Sequence, residues 1–198
     1  MFTKESAQVS TATATDEEKV IAALTLAFSA DPALRWMYPQ SQQYLTYFPH
    51  FARKFAGKAF DKDTAYHTAG YAGAALWLPP ESEADEEPLV ALLQESVLDS
   101  QLEEVFAIFE QMGNYHPQQP HWYLSLLGVE PMQQGKGNGS ALMQQILPKC
   151  DRDRLPAYLE SSNSASVPFY QHYGFEVLAQ IQIGTSPTIF PMLRCPHN

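Results

Sequence analysis

Residues 121–140, HWYLSLLGVEPMQQGKGNGS, combine an apolar run with a glycine-rich turn. The run at 121–129 predicts a buried strand, because a strand covered on both faces carries apolar side chains at successive positions. The turn at 133–140 leads into a predicted helix with four apolar residues on its inner face, Leu142, Met143, Ile146 and Leu147. Backbone N–H groups at such a strand-to-helix turn lack intrahelical partners and can bind an anion.

The spacing of the glycines excludes two common kinds of phosphate-binding loop. Gly135, Gly137 and Gly139 alternate, so the backbone can adopt positive φ and approach a ligand closely. We expect this ligand to be a pyrophosphate. A Walker A loop is excluded because Gly137 follows Lys136, and the dinucleotide pattern G-x-G-x-x-G lacks its third glycine in either register. A tight turn that binds no ligand is the alternative.

Composition excludes some classes of partner. The net charge is -10, from 12 basic and 22 acidic side chains, and this argues against nucleic acid because phosphate binding needs a basic face. No apolar run reaches the ~20 residues of a membrane span, so we expect no membrane partner. Cys150 and Cys195 are in no metal-ligand spacing, which predicts no metal site and a reduced, cytoplasmic protein.

The charges are unevenly distributed along the chain. No Lys or Arg occurs between Lys62 and Lys136. The acidic residues in that interval include Glu81, Glu83, Asp85, Glu86, Glu87, Glu95, Asp99, Glu103, Glu104 and Glu110. They form either a solvated helical face or an acidic surface that attracts a cationic substrate.

Periodicity predicts helices and strands in alternation. The first helix begins at a capping box, Thr15–Glu18, and runs to Ala30, where Asp31-Pro32 ends it. The second is expected at 41–60, with an interruption near Pro49. Further helices are expected at 88–98, 100–112, after the glycine turn and at 167–173, and strands at 64–68, 72–78, 121–129, 157–160, 174–183 and 188–193. We therefore expect a mixed α/β sheet in one domain at 15–198, after a loose tail at 1–14 that contains one weak strand.

Two motifs resemble the GNAT superfamily of acetyltransferases. Gln134-x-x-Gly137-x-Gly139 matches its Q/R-x-x-G-x-G/A motif. LESSN at 159–163 and VPFYQHYGF at 167–175 resemble its N-x-x-A-x-x-x-Y-x-x-x-G-F region, with Ser at the alanine position. Segments FSADP at 28–32, WLPPE at 77–81 and 188–196 are also similar to those of the puromycin N-acetyltransferase branch, which acts on varied amines.

The resemblance implies a fold and a reaction. The fold would be α+β (mixed α/β, three-layer), the GNAT acyl-CoA N-acyltransferase fold, with a central, mostly antiparallel sheet splayed at the CoA site. The reaction would transfer acetyl from acetyl-CoA, without a metal, to a small-molecule amine. A homodimer is compatible with this interpretation. The alternatives are a non-catalytic acyl-CoA-binding sensor and a nucleotide-binding module.

The resemblance also implies which residues bind acetyl-CoA. Backbone groups of Leu127 and Val129 would contact the acetyl carbonyl and the pantetheine arm, and backbone N–H groups of residues 134–140 would hold the pyrophosphate. Asn163 and Ser166 either contact CoA or cap the short helix. The full predicted set is Leu127, Gly128, Val129, Gln134, Gly135, Lys136, Gly137, Asn138, Gly139, Ser140, Asn163, Ser166 and Tyr170.

Two residues carry the predicted proton transfers. Tyr170 matches the family tyrosine that protonates the departing thiolate, and a phenol is neutral at pH 7 and can donate; packing in the core is its alternative role. Glu160 is the first candidate for the general base, with His121, Glu110 or a water relay as alternatives. Five aromatic residues are candidates for the acceptor pocket, Trp36, Tyr38, Trp77, Tyr115 and Trp122.

Overall fold

The computed structural model describes residues 7–82 and 86–197 of the chain. An open, seven-stranded sheet with the order β1-β2-β3-β4-β5-β7-β6 forms its centre. The strands are β1 Val9–Thr11, β2 Ala65–Thr68, β3 Gly73–Leu78, β4 Trp122–Val129, β5 Ala157–Ser161, β6 Glu176–Val177 and β7 Phe190–Arg194. All neighbouring strands are antiparallel except β4 and β5. The predicted mixed, mostly antiparallel sheet is confirmed.

The parallel strands β4 and β5 are paired only at their first two residues and then separate. The two pairs are Trp122↔Ala157 and Tyr123↔Tyr158. On its other edge β4 contains a bulge, because Leu76 and Trp77 of β3 pair with residues 126 and 124 and leave Ser125 between them. A bulge bends the strand that carries it. The rest of β4 therefore lies beside an opening in the sheet, as the predicted splay requires.

Helices cover both faces of the sheet. They are α1 Glu17–Ala27, α2 Pro32–Met37, α3 Ser41–Ala56, α4 Lys58–Asp61, α5 Glu86–Ser96, α6 Asp99–Tyr115, α7 Asn138–Met143, α8 Leu147–Asp153 and α9 Val167–His172. Side chains alternate along β3, so Leu76 and Leu78 join the core formed with α1–α6, whereas Ala75 and Trp77 join the core formed with α7–α9. The three-layer prediction is confirmed.

The first predicted helix ends three residues earlier than expected, and a short helix that was not predicted follows it. Helix α1 ends at Ala27, and Asp31 then caps α2, with its carboxylate accepting the N–H groups of Ala33 and Leu34. The predicted capping box at Thr15 is also wrong. The amide of Thr13 donates to the side chain of Asp16 instead, because Asp16 is the residue that precedes the first helical turn.

Helix α3 continues through Pro49, and its break comes later, at Gly57. The proline removes one helical N–H donor. A row of stacked rings along one face, at Tyr44, Phe48, Phe51 and Phe55, holds the two parts of the helix together. Tertiary packing of this face outweighs the local effect of the proline.

The predicted strand at 174–183 is much shorter than expected. Strand β6 stops at Val177, although Leu178 still donates to the carbonyl of Pro191 in β7. Pro191 has no N–H to return, so the ladder cannot continue past it. A single bridge between Ile181 and Ile189 follows.

The N-terminal segment contains the predicted weak strand, since β1 pairs with β2; residues 1–6 lie outside the described part of the chain. Cys150 and Cys195 are both free thiols. Across residues 7–82 and 86–197, none of the helices has the length and apolarity needed to cross a membrane.

Candidate active site

A cavity of about 820 Å³ lies in the opening between β4 and β5. Apart from Lys136, every residue of the predicted acetyl-CoA-binding set lines it, and so does Glu160. We call the lining from residues 127–140 and 163–170 the turn side. We call the lining from Phe51, Phe55, Phe109, Met112, Tyr123 and Glu160 the helix side. The structure therefore brings the predicted residues together, while their roles stay predictions.

The glycine turn is held open by hydrogen bonds at its base. Gly135 and Gly137 have φ of 72° and 91°, a backbone region that favours glycine. The buried side chain of Asn138 donates to the carbonyl of Gln133 at 3.0 Å, and the side chain of Gln134 donates to that of Val129 at 3.2 Å. The first hydrogen bond of α7 starts at the amide of residue 141, so the amides of 138–140 precede it.

Lys136 is exposed and does not line the cavity. Its Nζ donates to Oε1 of Gln133 at 2.9 Å. Gly128 does line the cavity, but its lack of a side chain has a different cause. A Cβ built on Gly128 would be 2.6 Å from Cβ of Ala27 and 3.1 Å from the ring of Phe28. The close packing of α1 on β4 requires this glycine.

The segment after β5 is tied to the opposite wall. Ser162 Oγ donates to Asp31 Oδ2 at 2.6 Å. The other oxygen of Asp31 accepts from two amides of α2, and burial raises the pKa of this carboxyl. Asn163 accepts from the amide of Ala165 and so caps a short turn, whereas Ser166 makes no side-chain cap. Asp31, which was predicted only to end the first helix, also lines the cavity, and both of its carboxylate oxygens accept hydrogen bonds.

Tyr170 lies on α9 with its ring against Phe169 and Phe175. It is 8% exposed and lines the cavity. Burial raises the pKa of this phenol, so it carries its proton at neutral pH. Within the described residues its hydroxyl has no hydrogen-bond partner, and it can therefore donate to a ligand. Tyr173, three residues later, does not line the cavity.

Glu160 lies on β5 with its side chain 5% exposed. Its Oε1 is 3.8 Å from Nδ1 of His116, a residue that sequence analysis did not single out. The rings of Tyr123 and Tyr158 pack against the same histidine. Burial, and then the charge of Glu160, raises the pKa of both tyrosines. Nothing in the local sequence marks His116, because it follows α6 and reaches Glu160 only through space.

The other candidates for base and pocket lie elsewhere. His121 and Glu110 do not line the cavity. None of the five predicted aromatic residues lines it either: Tyr38 and Trp77 have 0% exposure, since they fill the two cores. The exposed acidic residues of α5 and α6 are also absent from its wall, and Glu83 and Asp85 lie outside the described residues. Where the structure describes the chain, no cluster of His, Cys, Asp or Glu could hold a metal ion.

Comparisons with known proteins agree with this architecture. The family model described as the acetyltransferase (GNAT) domain matches residues 94–193, just over half of the chain. An uncharacterized N-acetyltransferase of Schizosaccharomyces pombe is 46% identical over 54 residues, which span 27% of this chain and 22% of that protein.

Solved structures show the same fold over nearly the whole length. The histone acetyltransferase HPA2 and related acetyltransferase from Corynebacterium glutamicum has a TM-score of 0.69 at 23% identity, with 98% of each chain covered. Arylalkylamine N-acetyltransferase 2 from Aedes aegypti has a TM-score of 0.68 at 14% identity, covering 96% of this chain and 99% of that one. With the domain model matched over half of its residues, this chain belongs to the GNAT family of acetyltransferases.

Proposed function

We propose that the protein transfers an acetyl group from acetyl-CoA to the primary amine of a small molecule, by direct attack of the amine on the thioester. The observation that carries the proposal is the cavity between the separated strands β4 and β5. It connects a glycine turn suited to a pyrophosphate with a pocket that contains a buried carboxylate and a buried phenol.

Features of the turn side fit acetyl-CoA. A Cβ built on Gly135 or Gly137 would meet no atom within 4 Å, so the turn faces open space. The hydroxyl of Ser125, at the bulge in β4, lines the cavity and is buried without a hydrogen-bond partner among the described residues. A buried polar group without a partner is costly, so it favours a polar ligand in this opening. Acetyl-CoA would supply the acyl group and a thiolate leaving group there.

Each residue then has a task that its surroundings support. Backbone groups of Leu127 and Val129 orient the acyl group, and fixed dipoles near a developing oxyanion contribute several kcal/mol. Glu160 accepts the proton of the incoming ammonium. Tyr170 gives its phenolic proton to the sulfur as the thioester C–S bond breaks, and the second proton that the nitrogen loses as the amide forms restores the phenol. Positioning of the amine beside the thioester supplies a further entropic gain.

The helix side favours an amine with an apolar body. Phe51, Phe55, Phe109 and Met112 line it, and Glu160 is the carboxylate whose oxygens are not taken up by a helix cap. Burial of apolar ligand surface against these side chains contributes a binding free energy of about 25 cal/mol per Å². A primary amine on an aromatic or aliphatic body would place its ammonium near Glu160 and its body among these rings.

Two measurements test the proposal. In thermal unfolding, we expect acetyl-CoA to stabilise the protein and ATP or NAD to have no effect. Thiol release should then be measured with 2-phenylethylamine, an anionic amine and a peptide with a free N-terminus; we expect the first to be the best acceptor. Stabilisation without thiol release for any amine would support a sensor instead, and a lack of stabilisation by acetyl-CoA would refute the proposal.

A pair of variants on α6 tests the pocket itself. Phe109 lines the cavity, whereas Phe106 on the same helix packs against the same core but borders a shallow groove outside the cavity. We expect Phe109→Ala to raise the KM for 2-phenylethylamine and Phe106→Ala to leave it unchanged. Equal effects of the two variants would place the acceptor elsewhere.

Likeness to the puromycin N-acetyltransferases, a cytoplasmic location and a homodimer stay predictions. Including puromycin in the amine panel tests the first of them, and the sedimentation of the purified protein tests the last.

A further inference from the structure

Two histidines outside the cavity wall form a chain of contacts that starts at Glu160. His116 directly follows α6, and its Nδ1 is 3.8 Å from Oε1 of Glu160. His121 directly precedes β4, and its Nε2 is 2.9 Å from Nε2 of His116. The second ring nitrogen of His121 is 2.8 Å from the carbonyl oxygen of Gln119. The chain therefore has the order Glu160, His116, His121, Gln119.

The last contact determines where the protons lie. A carbonyl oxygen only accepts, so Nδ1 of His121 must carry a proton. Burial lowers the pKa of His121, which favours its neutral form, and Nε2 of that ring is then an acceptor. The 2.9 Å contact must therefore be a hydrogen bond donated by Nε2 of His116. In the neutral form of His116, the nitrogen that faces Glu160, Nδ1, is then left as a base.

Solvent exposure increases from Glu160 to His116, which is the direction in which a proton has to leave. The Glu160 side chain is 5% exposed, and the His116 side chain is 36% exposed. If Glu160 accepts a proton from each ammonium, it must lose that proton before the next catalytic cycle. Water reaches His116 far more easily than it reaches Glu160. The ring contacts of His116 are His121, Tyr123 and Tyr158, and the two tyrosines stay neutral because burial raises the pKa of each.

We propose that His116, oriented by His121, is the proton release route of Glu160. This proposal rests on the proposed acetyl transfer. The ammonium of the acceptor gives one proton to the Glu160 carboxylate, and the resulting carboxylic acid passes it to Nδ1 of His116. This leaves a carboxylate beside an imidazolium, and the imidazolium then loses the proton to water. The 3.8 Å separation closes by a small side-chain rotation or through one water molecule.

The orientation of His116 is the task of His121. By accepting the Nε2 proton, it keeps Nδ1 of His116 directed at Glu160 and stabilises the imidazolium that forms. His121 is therefore a positioning residue, and both neutral rings return to their starting tautomers when the proton leaves.

The dependence of kcat on buffer concentration distinguishes proton release through His116 from a purely structural role of this residue. We expect His116→Gln to lower kcat by roughly tenfold at low buffer concentration, less than the ~10²–10⁴-fold of a lost general base. Added imidazole should restore much of the rate, because a small base can then take the proton from Glu160. The control is His50→Gln, an exposed residue on α3, for which neither effect is expected. An unchanged kcat, or a loss that imidazole does not repair, would overturn the proposal.

A second measurement needs no activity and so separates failure of this route from failure of the proposed function. Nitrogen-15 NMR of the histidine rings should show the Nδ1–H tautomer at His121 and the Nε2–H tautomer at His116. His121→Phe should abolish the preference at His116 and keep the fold. An Nδ1–H tautomer at His116 in the wild-type protein would refute the route even if the enzyme acetylates amines. If His116→Gln does not fold, His121→Phe also serves for the kinetic test, with a smaller loss that imidazole again repairs.

Discussion

The turn side and the helix side of the cavity differ in how their residues are brought together. The turn side comes from two short segments, 127–140 and 163–170, each a strand or turn followed by a helix. The helix side gathers Phe51 from α3, Phe109 from α6 and Glu160 from β5, which are far apart in sequence. Local stereochemistry builds the first, and tertiary packing builds the second. Variants that separate these two causes test the comparison.

The largest effect is expected at Tyr170, the proposed proton donor. Tyr170→Phe keeps the ring and its packing but removes the proton donor, so we expect kcat to fall by ~10²–10⁴-fold with little change in either KM. Because a thiolate leaves without help at some rate, the loss should be partial. Tyr173→Phe is the matched control, since Tyr173 does not line the cavity. Steady-state kinetics would disprove the role if both variants behaved alike with chemistry rate-limiting.

The next effect is expected on the turn side. Valine at position 137 would have to adopt a φ of 91°, a strain of ~1–3 kcal/mol for a residue other than glycine. If the turn rearranges to relieve this strain, Gly137→Val should weaken acetyl-CoA binding by about 10–100-fold, at 1.4 kcal/mol per factor of ten. Gly113→Val on α6 is the control, because Gly113 has open space around it and no positive φ. Calorimetric titration that finds wild-type affinity for the folded Gly137→Val protein would place the site elsewhere.

A smaller effect should distinguish a packing glycine from a binding glycine. The Cβ of Gly128→Ala would be 2.6 Å from Ala27, and overpacking of this kind costs about 1–3 kcal/mol. We expect a lower free energy of unfolding and an unchanged KM for acetyl-CoA. Gly113→Ala should instead raise stability slightly, as alanine favours a helix interior. A higher KM for acetyl-CoA at unchanged stability would show that Gly128 acts in binding.

The smallest effect is expected from the surface charge. The exposed acidic residues of α5 and α6 do not line the cavity, so they can act on a cationic amine only at long range. Added salt should lower kcat/KM for cationic acceptors by only a few-fold, since ions screen such charges beyond ~10 Å. Initial rates measured in increasing salt give the slope. A preference for anionic acceptors would contradict the acidic surface as an attractor.

Much of the fold could be predicted from the sequence. Strands β2, β3 and β4 and helices α5, α6 and α9 were expected within a few residues of their bounds. The errors occurred where a distant contact decides the outcome. Packing of the aromatic face of α3 in the core carries that helix through Pro49, and Pro191 in a neighbouring strand ends β6 early. Neither effect can be read from the segment it changes.

The sequence by itself determined the strand, the glycine turn and the start of the helix that follows, because apolar periodicity and the conformational freedom of glycine act within a few residues. It also placed Tyr170 and Glu160 in segments of recognisable pattern. It did not predict that the helix after the glycine turn ends at Met143 and that α8 begins at Leu147. Only the tertiary structure decided the helix side, because Phe51 and Phe109 have the same apolar pattern as the core around them. The pairing of Glu160 with His116 likewise depended on the fold, since β5 and the end of α6 meet through space and leave no trace in the local sequence.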